Sequence, residues 1–175
     1  MPRDTSDGEY RQAFVRKVID RGVSPRRFRN KAVKGGMRIT GGSMKTAELA
    51  GALLDYWVGN AQGERVVIER NAIHNADPVR DMCCWPLPEG SDVPDFSLPP
   101  YRPSRNLELG RKIIEQKGIS VAFDRDRWVA GTDGGFSSSG VLELHHVHHG
   151  ETGLIAAMRV YVELTYGPEV PEILQ

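Results

Sequence analysis

The sequence predicts an α+β fold: a small single domain of about three helices and a short, mostly antiparallel sheet, interrupted by a long Pro-rich loop. Three observations predict it. The chain has 175 residues, the size of one domain with at most an appendage. Stretches of helical period are followed by stretches that alternate with period two, without the regular β-α-β succession of a parallel sheet. Seven prolines (Pro78, Pro86, Pro88, Pro94, Pro99, Pro100 and Pro103) crowd the segment 71–103, breaking both kinds of pattern. The apolar fraction of 39%, with 19 Gly and 11 Pro, fits a loop-rich chain with a modest core.

The first helix is expected to start at a Thr46 cap with Glu48 in its first turn. It carries Leu49, Leu53, Trp57 and Val58 as an apolar stripe and breaks near Gly59-Asn60, with Gly63 soon after. Val66-Val67-Ile68 is β-branched and reads as a short strand. The Pro-rich segment then reads as irregular, with Trp85, Phe96 and Tyr101 available to pack it down. A second helix runs from a Ser104 or Asn106 cap to Lys117 and closes at Gly118. Ile119 to Phe123 alternates as a strand, Trp128-Val129-Ala130 is the return strand, Gly131 to Gly140 is a flexible Gly/Ser segment, and Val141 to His149 alternates again. Thr152 caps the last helix, which places Leu154, Ile155, Met158, Val162 and Tyr161 on one side and stops at Gly167-Pro168.

The formal net charge of zero hides an asymmetry. Residues 1–43 carry eleven Lys and Arg against four acids, and the remainder twelve against nineteen, so the two parts stand at +7 and −7. We therefore divide the chain into a basic leader, 1–43, with the run Arg26, Arg27, Arg29, Lys31 and Lys34, and a domain, 44–175. With few large apolar residues the leader reads as a disordered tail, or alternatively as a phosphate-binding arm for nucleic acid. Gly41-Gly42-Ser43 directly precedes Met44, and paired glycine codons can spell a ribosome-binding signal; translation is thus expected to begin at Met44. No apolar run is long enough to span a bilayer and no signal peptide is evident, which leads to an expected cytoplasmic location. The adjacent Cys83 and Cys84 agree with a reducing compartment, since neighbours in sequence cannot staple distant segments.

Three stretches resemble the NinX proteins of lambda-like phages and prophages. Met44-Lys-Thr-Ala-Glu-Leu-Ala-Gly-Ala-Leu-Leu-Asp-Tyr-Trp57 is similar to "MKTSELTGxALDWAV", and Tyr101-Arg-Pro-Ser104-Arg-Asn106 onward to Ile119 is similar to "YSPSTDWAQGGPIIEREGI". Leu154-Ile-Ala-Ala-Met-Arg159-Val-Tyr-Val, followed by Gly167 to Leu174, is similar to "PLIAAMRCYVASKLGDEVDVPEEL". Leu107 stands where that family usually shows Trp, and Arg111-Lys112 replaces Gly-Pro. The resemblance implies a phage accessory role in the host cytoplasm and no defined chemistry.

The candidate ligand site gathers around Pro103-Ser104-Arg105-Asn106, a hydroxyl, a guanidinium and an amide at a helix N-terminus, where free N–H groups favour a polar or anionic ligand. Tyr101, Trp85 and Trp128 can add a flat face for a base or sugar, and Arg159 in the last helix an anion contact. The plainer alternatives are that Ser104 or Asn106 caps the helix, that the aromatics are core, and that Arg159 pairs with Glu163. In His145-His146-Val147-His148-His149, His146 and His148 face one way and His145 and His149 the other, so no more than two neighbouring imidazoles converge; His146 and His148 are the metal candidates, with Cys83-Cys84 or His74 needed to complete a site. Neither a CxxC nor a HExxH spacing occurs, and Ser137 to Ser139 lacks a nucleophile elbow. The Gly131-Thr-Asp-Gly134-Gly135 stretch has no P-loop Lys, so no cofactor is expected. The sequence thus favours a non-enzymatic binder of a small polar, nucleotide-like ligand or of a host protein, able to form a homo-oligomer; the phage resemblance adds the expectation of a role against host defence. The alternatives are a nucleic-acid-associated protein using the leader and a small metal-dependent enzyme using the histidines.

Overall fold

A computed structural model describes residues 38–72, 80–87, 93–136, 138 and 142–174. The basic run, His74, Ser137 and Ser139 lie outside the described residues. The elements in order are β1 (Arg38–Lys45), a 3-10 turn (Thr46–Glu48), α1 (Gly51–Gln62), β2 (Val67–Ala72), β3 (Arg80–Cys84), α2 (Leu107–Lys117), β4 (Ile119–Asp124), β5 (Arg127–Phe136), β6 (Leu142–Gly150), α3 (Gly153–Tyr166) and β7 (Glu169–Leu174). The fold is α+β, with three helices and three small antiparallel sheets among the described residues: β1-β7, β2-β3 and β4-β5-β6.

The apolar pattern of α3 places it at the centre. Ala156, Ala157, Met158, Val160, Tyr161 and Val162 are all buried, and the helix touches α1, α2 and the three-stranded sheet. Small residues at 156 and 157 let the sheet and helices approach closely on several sides at once. Thr152 caps α3 by accepting a hydrogen bond from the Ile155 N–H at 3.2 Å, as its position predicts. Asn106 caps α2 by accepting from Glu108 and Leu109, and Gly118 ends it in the left-handed region at φ 60°.

The first helix departs from expectation at both ends. Thr46 does not cap it: its hydroxyl donates to the Gly167 carbonyl at 2.9 Å, its N–H bonds to the Pro168 carbonyl, and the chain makes only a 3-10 turn before α1 begins at Gly51. Gly59 does not stop it either. A Cβ there would meet Val66 Cγ2 at 2.7 Å, so this glycine is needed for close packing, and the helix runs on to a left-handed Gly63. Nor is the apolar stripe one-sided, because residues 54–59 are all buried.

Two strands lie where the pattern suggests none. Within the Pro-rich excursion, Arg80–Cys84 forms β3, pairing Val67 with Cys84 and Ile68 with Cys83. Beyond Pro168, Glu169–Leu174 forms β7 and pairs with β1 through Met44↔Val170 and Lys45↔Glu169. The boundary drawn at Met44 falls inside β1, since Arg38, Ile39 and Ser43 also pair with β7. Most of the Gly/Ser segment is likewise ordered pairing: Gly131 to Phe136 extends β5 against β6. Both cysteines are buried and free, and burial pushes the Cys83 thiol well above its usual range. No helix among the described residues is long and apolar enough to cross a membrane.

Candidate functional site

A recess opens where the start of α1, the strand β3 and the loop ahead of α2 meet. Its inner part, about 40 Å³, is lined by Gly51, Ala52, Asp55, Asp81, Met82, Cys83, Arg102 and Arg105. A wider groove of about 530 Å³ shares Gly51, Ala52, Asp81 and Arg105 and adds Ala50, Leu53, Ile68, Arg70 and Ile173. That volume lies within the range of small-molecule sites.

Local sequence explains the wall. Residue 50 at the α1 N-cap is alanine, which has no side-chain oxygen, so the first-turn N–H groups receive no side-chain cap. Gly51 follows with φ 55°, a left-handed conformation that favours glycine and brings bare backbone to the groove. One turn on, Asp55 is 3% exposed and accepts a hydrogen bond from the Ser104 N–H at 2.9 Å. Burial pushes the Asp55 carboxyl up to about 6; the Ser104 N–H and hydroxyl, then Arg105 and Arg102, hold it from rising further. Arg102 donates to Met82 Sδ at 3.1 Å. Arg105 is exposed, and its side chain makes no hydrogen bond or ion pair with the described residues. The groove therefore offers a free guanidinium and uncapped N–H groups over apolar patches from Leu53, Ile68 and Ile173, while Asp55 lines only the smaller inner recess. Such a mixed lining suits a ligand with an anionic end and an apolar face.

The residues expected from sequence divide between this groove and the framework. Arg105 lines it directly, and Ser104 shapes it by holding Asp55. Tyr101 is buried, gives its hydroxyl hydrogen to Gln62 Oε1 and packs edge-on against Trp85 at 5.1 Å. Asn106 is the α2 cap, and Leu107 beside it is exposed. Trp128 belongs to the three-stranded sheet, where it packs against Phe123 at 5.3 Å and beside Gly153. Arg159 donates from Nε to the Leu49 carbonyl at 2.9 Å and from Nη1 to the His149 carbonyl at 2.6 Å, tying the approach to α1 to the end of β6. It does not pair with Glu163, which is taken by both candidate metal histidines: His146 Nδ1 lies 2.9 Å from Oε1, and His148 Nε2 bonds Oε2. His146 sits at a bulge of β6 with φ 52°. No group of three or more His, Cys, Asp or Glu among the described residues is arranged to hold a metal ion. Sequence reasoning passed over Asp55; the signal was an acid inside Leu53-Leu54-Asp55-Tyr56-Trp57, where a charge has no place unless something pairs with it.

The family model described as Bacteriophage P22, NinX matches residues 45–164, spanning α1, the loop of Ser104 and Arg105, and all but the end of α3. The chain belongs to the NinX family. No curated protein matches it. The NinX segment contains most of the groove lining, from Ala50 to Arg105, while Ile173 lies past it on β7. NinX is a phage protein family without an established activity.

Proposed function

We propose that this NinX-family protein is a non-enzymatic binder of a small polar, nucleotide-like ligand, held in the groove between α1, β3 and the loop of Arg105. The observation that carries this reading is the free Arg105 guanidinium in a groove of about 530 Å³ that also presents the uncapped start of α1 and the apolar side chains of Leu53, Ile68 and Ile173. A phosphate suits Arg105 and the first-turn N–H groups, while a base suits the apolar patches of Leu53, Ile68 and Ile173. None of the groove residues is set up as a nucleophile, since the one thiol there, Cys83, is buried with its pKa raised, and the thiolate is the reactive form. In this reading the protein acts in the host cytoplasm by sequestering a nucleotide signal of antiphage defence.

Native mass spectrometry of the full chain purified from phage-infected host cells tests the proposal. The wild type is expected to retain a nucleotide-sized mass that Arg105→Ala loses. A bare wild-type protein that also shows no saturable uptake of mono-, di- or cyclic nucleotides in equilibrium dialysis would overturn it and favour a host-protein partner.

A further inference from the structure

Asp55 is the buried acid among the described residues, yet it lines the same recess as Arg105, which is exposed. A carboxylate in that position needs compensation, and it has three sources: the Ser104 N–H at 2.9 Å, the Ser104 hydroxyl, and the fields of Arg105 and Arg102. The two arginines cannot serve fully at once as Asp55's countercharge and as a ligand's. We propose that Asp55 is a proton-controlled gate on the groove: ionised, it occupies the field of Arg105 and Arg102, and on taking a proton from solvent it releases that field to an anionic ligand. This rests on the ligand-binding reading above and adds its regulation.

The surroundings of Asp55 support the assignment to this one group. Facing it are Arg102, Arg105 and Tyr101 from the loop and Asp81 and Cys83 from β3, with Tyr56 next to it on α1. Burial pushes Cys83, Tyr101 and Tyr56 upward, so these three stay neutral through the acid and neutral range, and the arginines stay charged. Burial brings Asp55 up to about 6, inside the range a cell can reach. Above that value the groove binds an anion more weakly and below it more tightly. By reciprocity, a bound anion holds the proton on Asp55 and binding takes up a proton.

The test titrates the full chain with sodium sulfate, which stays a dianion between pH 5 and 8, at constant ionic strength, in buffers of differing ionisation enthalpy. Wild-type affinity is expected to fall by roughly tenfold as the pH rises through the Asp55 transition, with proton uptake on binding. Asp55→Asn, whose amide oxygen still accepts from Ser104, is expected to keep the low-pH affinity throughout, and Arg105→Gln to weaken binding at every pH. Should Asp55→Asn not fold, carbon-detected NMR titration of the wild-type Asp55 carboxyl replaces it: saturating sulfate should raise its midpoint by about one pH unit, the same tenfold coupling. Arg105-dependent sulfate binding that is flat with pH, or that keeps its slope in Asp55→Asn, overturns the gate and leaves the groove as an anion site. Absence of sulfate binding at every pH in both wild type and Asp55→Asn overturns gate and anion site together, whereas a nucleotide-sized mass retained in native spectra would still stand for the ligand.

Discussion

Glu163 shows how one side chain sets a local arrangement. Burial alone would raise its carboxyl, but hydrogen bonds from His146 and His148 and their nearby charge outweigh that and hold it below the usual carboxylate value of 4.5. His148 moves down as well, because burial outweighs the pull of Glu163, so the pair at neutral pH is a carboxylate and a neutral imidazole donating its N–H. A depressed acid contributes stability above its unfolded value and loses it as pH falls through its folded one. Glu163→Gln is therefore expected to cost about 1–3 kcal/mol at pH 7, with the gap to wild type closing below pH 4.5. Urea unfolding at pH 7, 5 and 3.5 checks this; a gap that does not change with pH would show that the charge contributes nothing. His146 and His148 could be read as sharing a face, because alternation alone places them there, but their partner could not. Glu163 comes from a different element, and nothing in a strand's pattern names the helix residue it will meet. The groove was half legible for the same reason: Ser104 and Arg105 stand in a motif, whereas Asp55, Asp81 and Ile173 join them only through tertiary contact.

At the scale of elements, local signals succeeded where caps and turns decide. Asn106, Gly118 and Thr152 mark helix ends by chemistry contained within a few residues, and all three sit where that chemistry puts them. They misled where a glycine or threonine answers to something remote. Gly59 looks like a helix stop but makes room for Val66, and Thr46 looks like a cap but bonds Gly167, 121 residues away. Gly59→Ala, favourable by helix propensity, is accordingly expected to destabilise the protein by about 1–3 kcal/mol through overpacking, because the obstructing atom belongs to a stiff β-branched side chain. Thermal unfolding monitored by circular dichroism measures it, and an unchanged or raised midpoint would show that Val66 can shift to make room. β3 escaped notice because Met82-Cys83-Cys84 carries no alternation and sits among prolines, and only the register with β2 makes it a strand.

For the whole molecule, the question is what residues 38–43 contribute. Their pairings Arg38↔Leu174, Ile39↔Ile173 and Ser43↔Pro171, and the 2.8 Å hydrogen bond from Ser43 Oγ to Glu169, extend the β1-β7 ribbon beyond the two pairs at Met44 and Lys45. A protein beginning at Met44 keeps Thr46, Leu49 and every core helix. It should fold with the same spectrum while losing about 1–2 kcal/mol, the worth of a few exposed backbone and side-chain hydrogen bonds. Chemical denaturation of residues 38–175 against 44–175 gives the difference directly, and failure of the shorter form to fold would make the ribbon indispensable. Ile173 lies on this ribbon and also lines the groove, so a shift in nucleotide affinity of the shorter form would register the same loss at the site.

That ribbon also sets a timetable for the protein's making. β1 is among the first described segments to leave the ribosome, and its partner at 169–174 follows more than a hundred residues later. At bacterial rates of about 5–20 residues per second the wait is on the order of ten seconds, in which β1 is an open strand edge that other chains can pair with. The buried α3, on which α1, α2 and the three-stranded sheet pack, is likewise synthesised late. Nascent chains stalled before Gly153 should thus depend on chaperones, and completion of the fold belongs to the moments after α3 and β7 emerge.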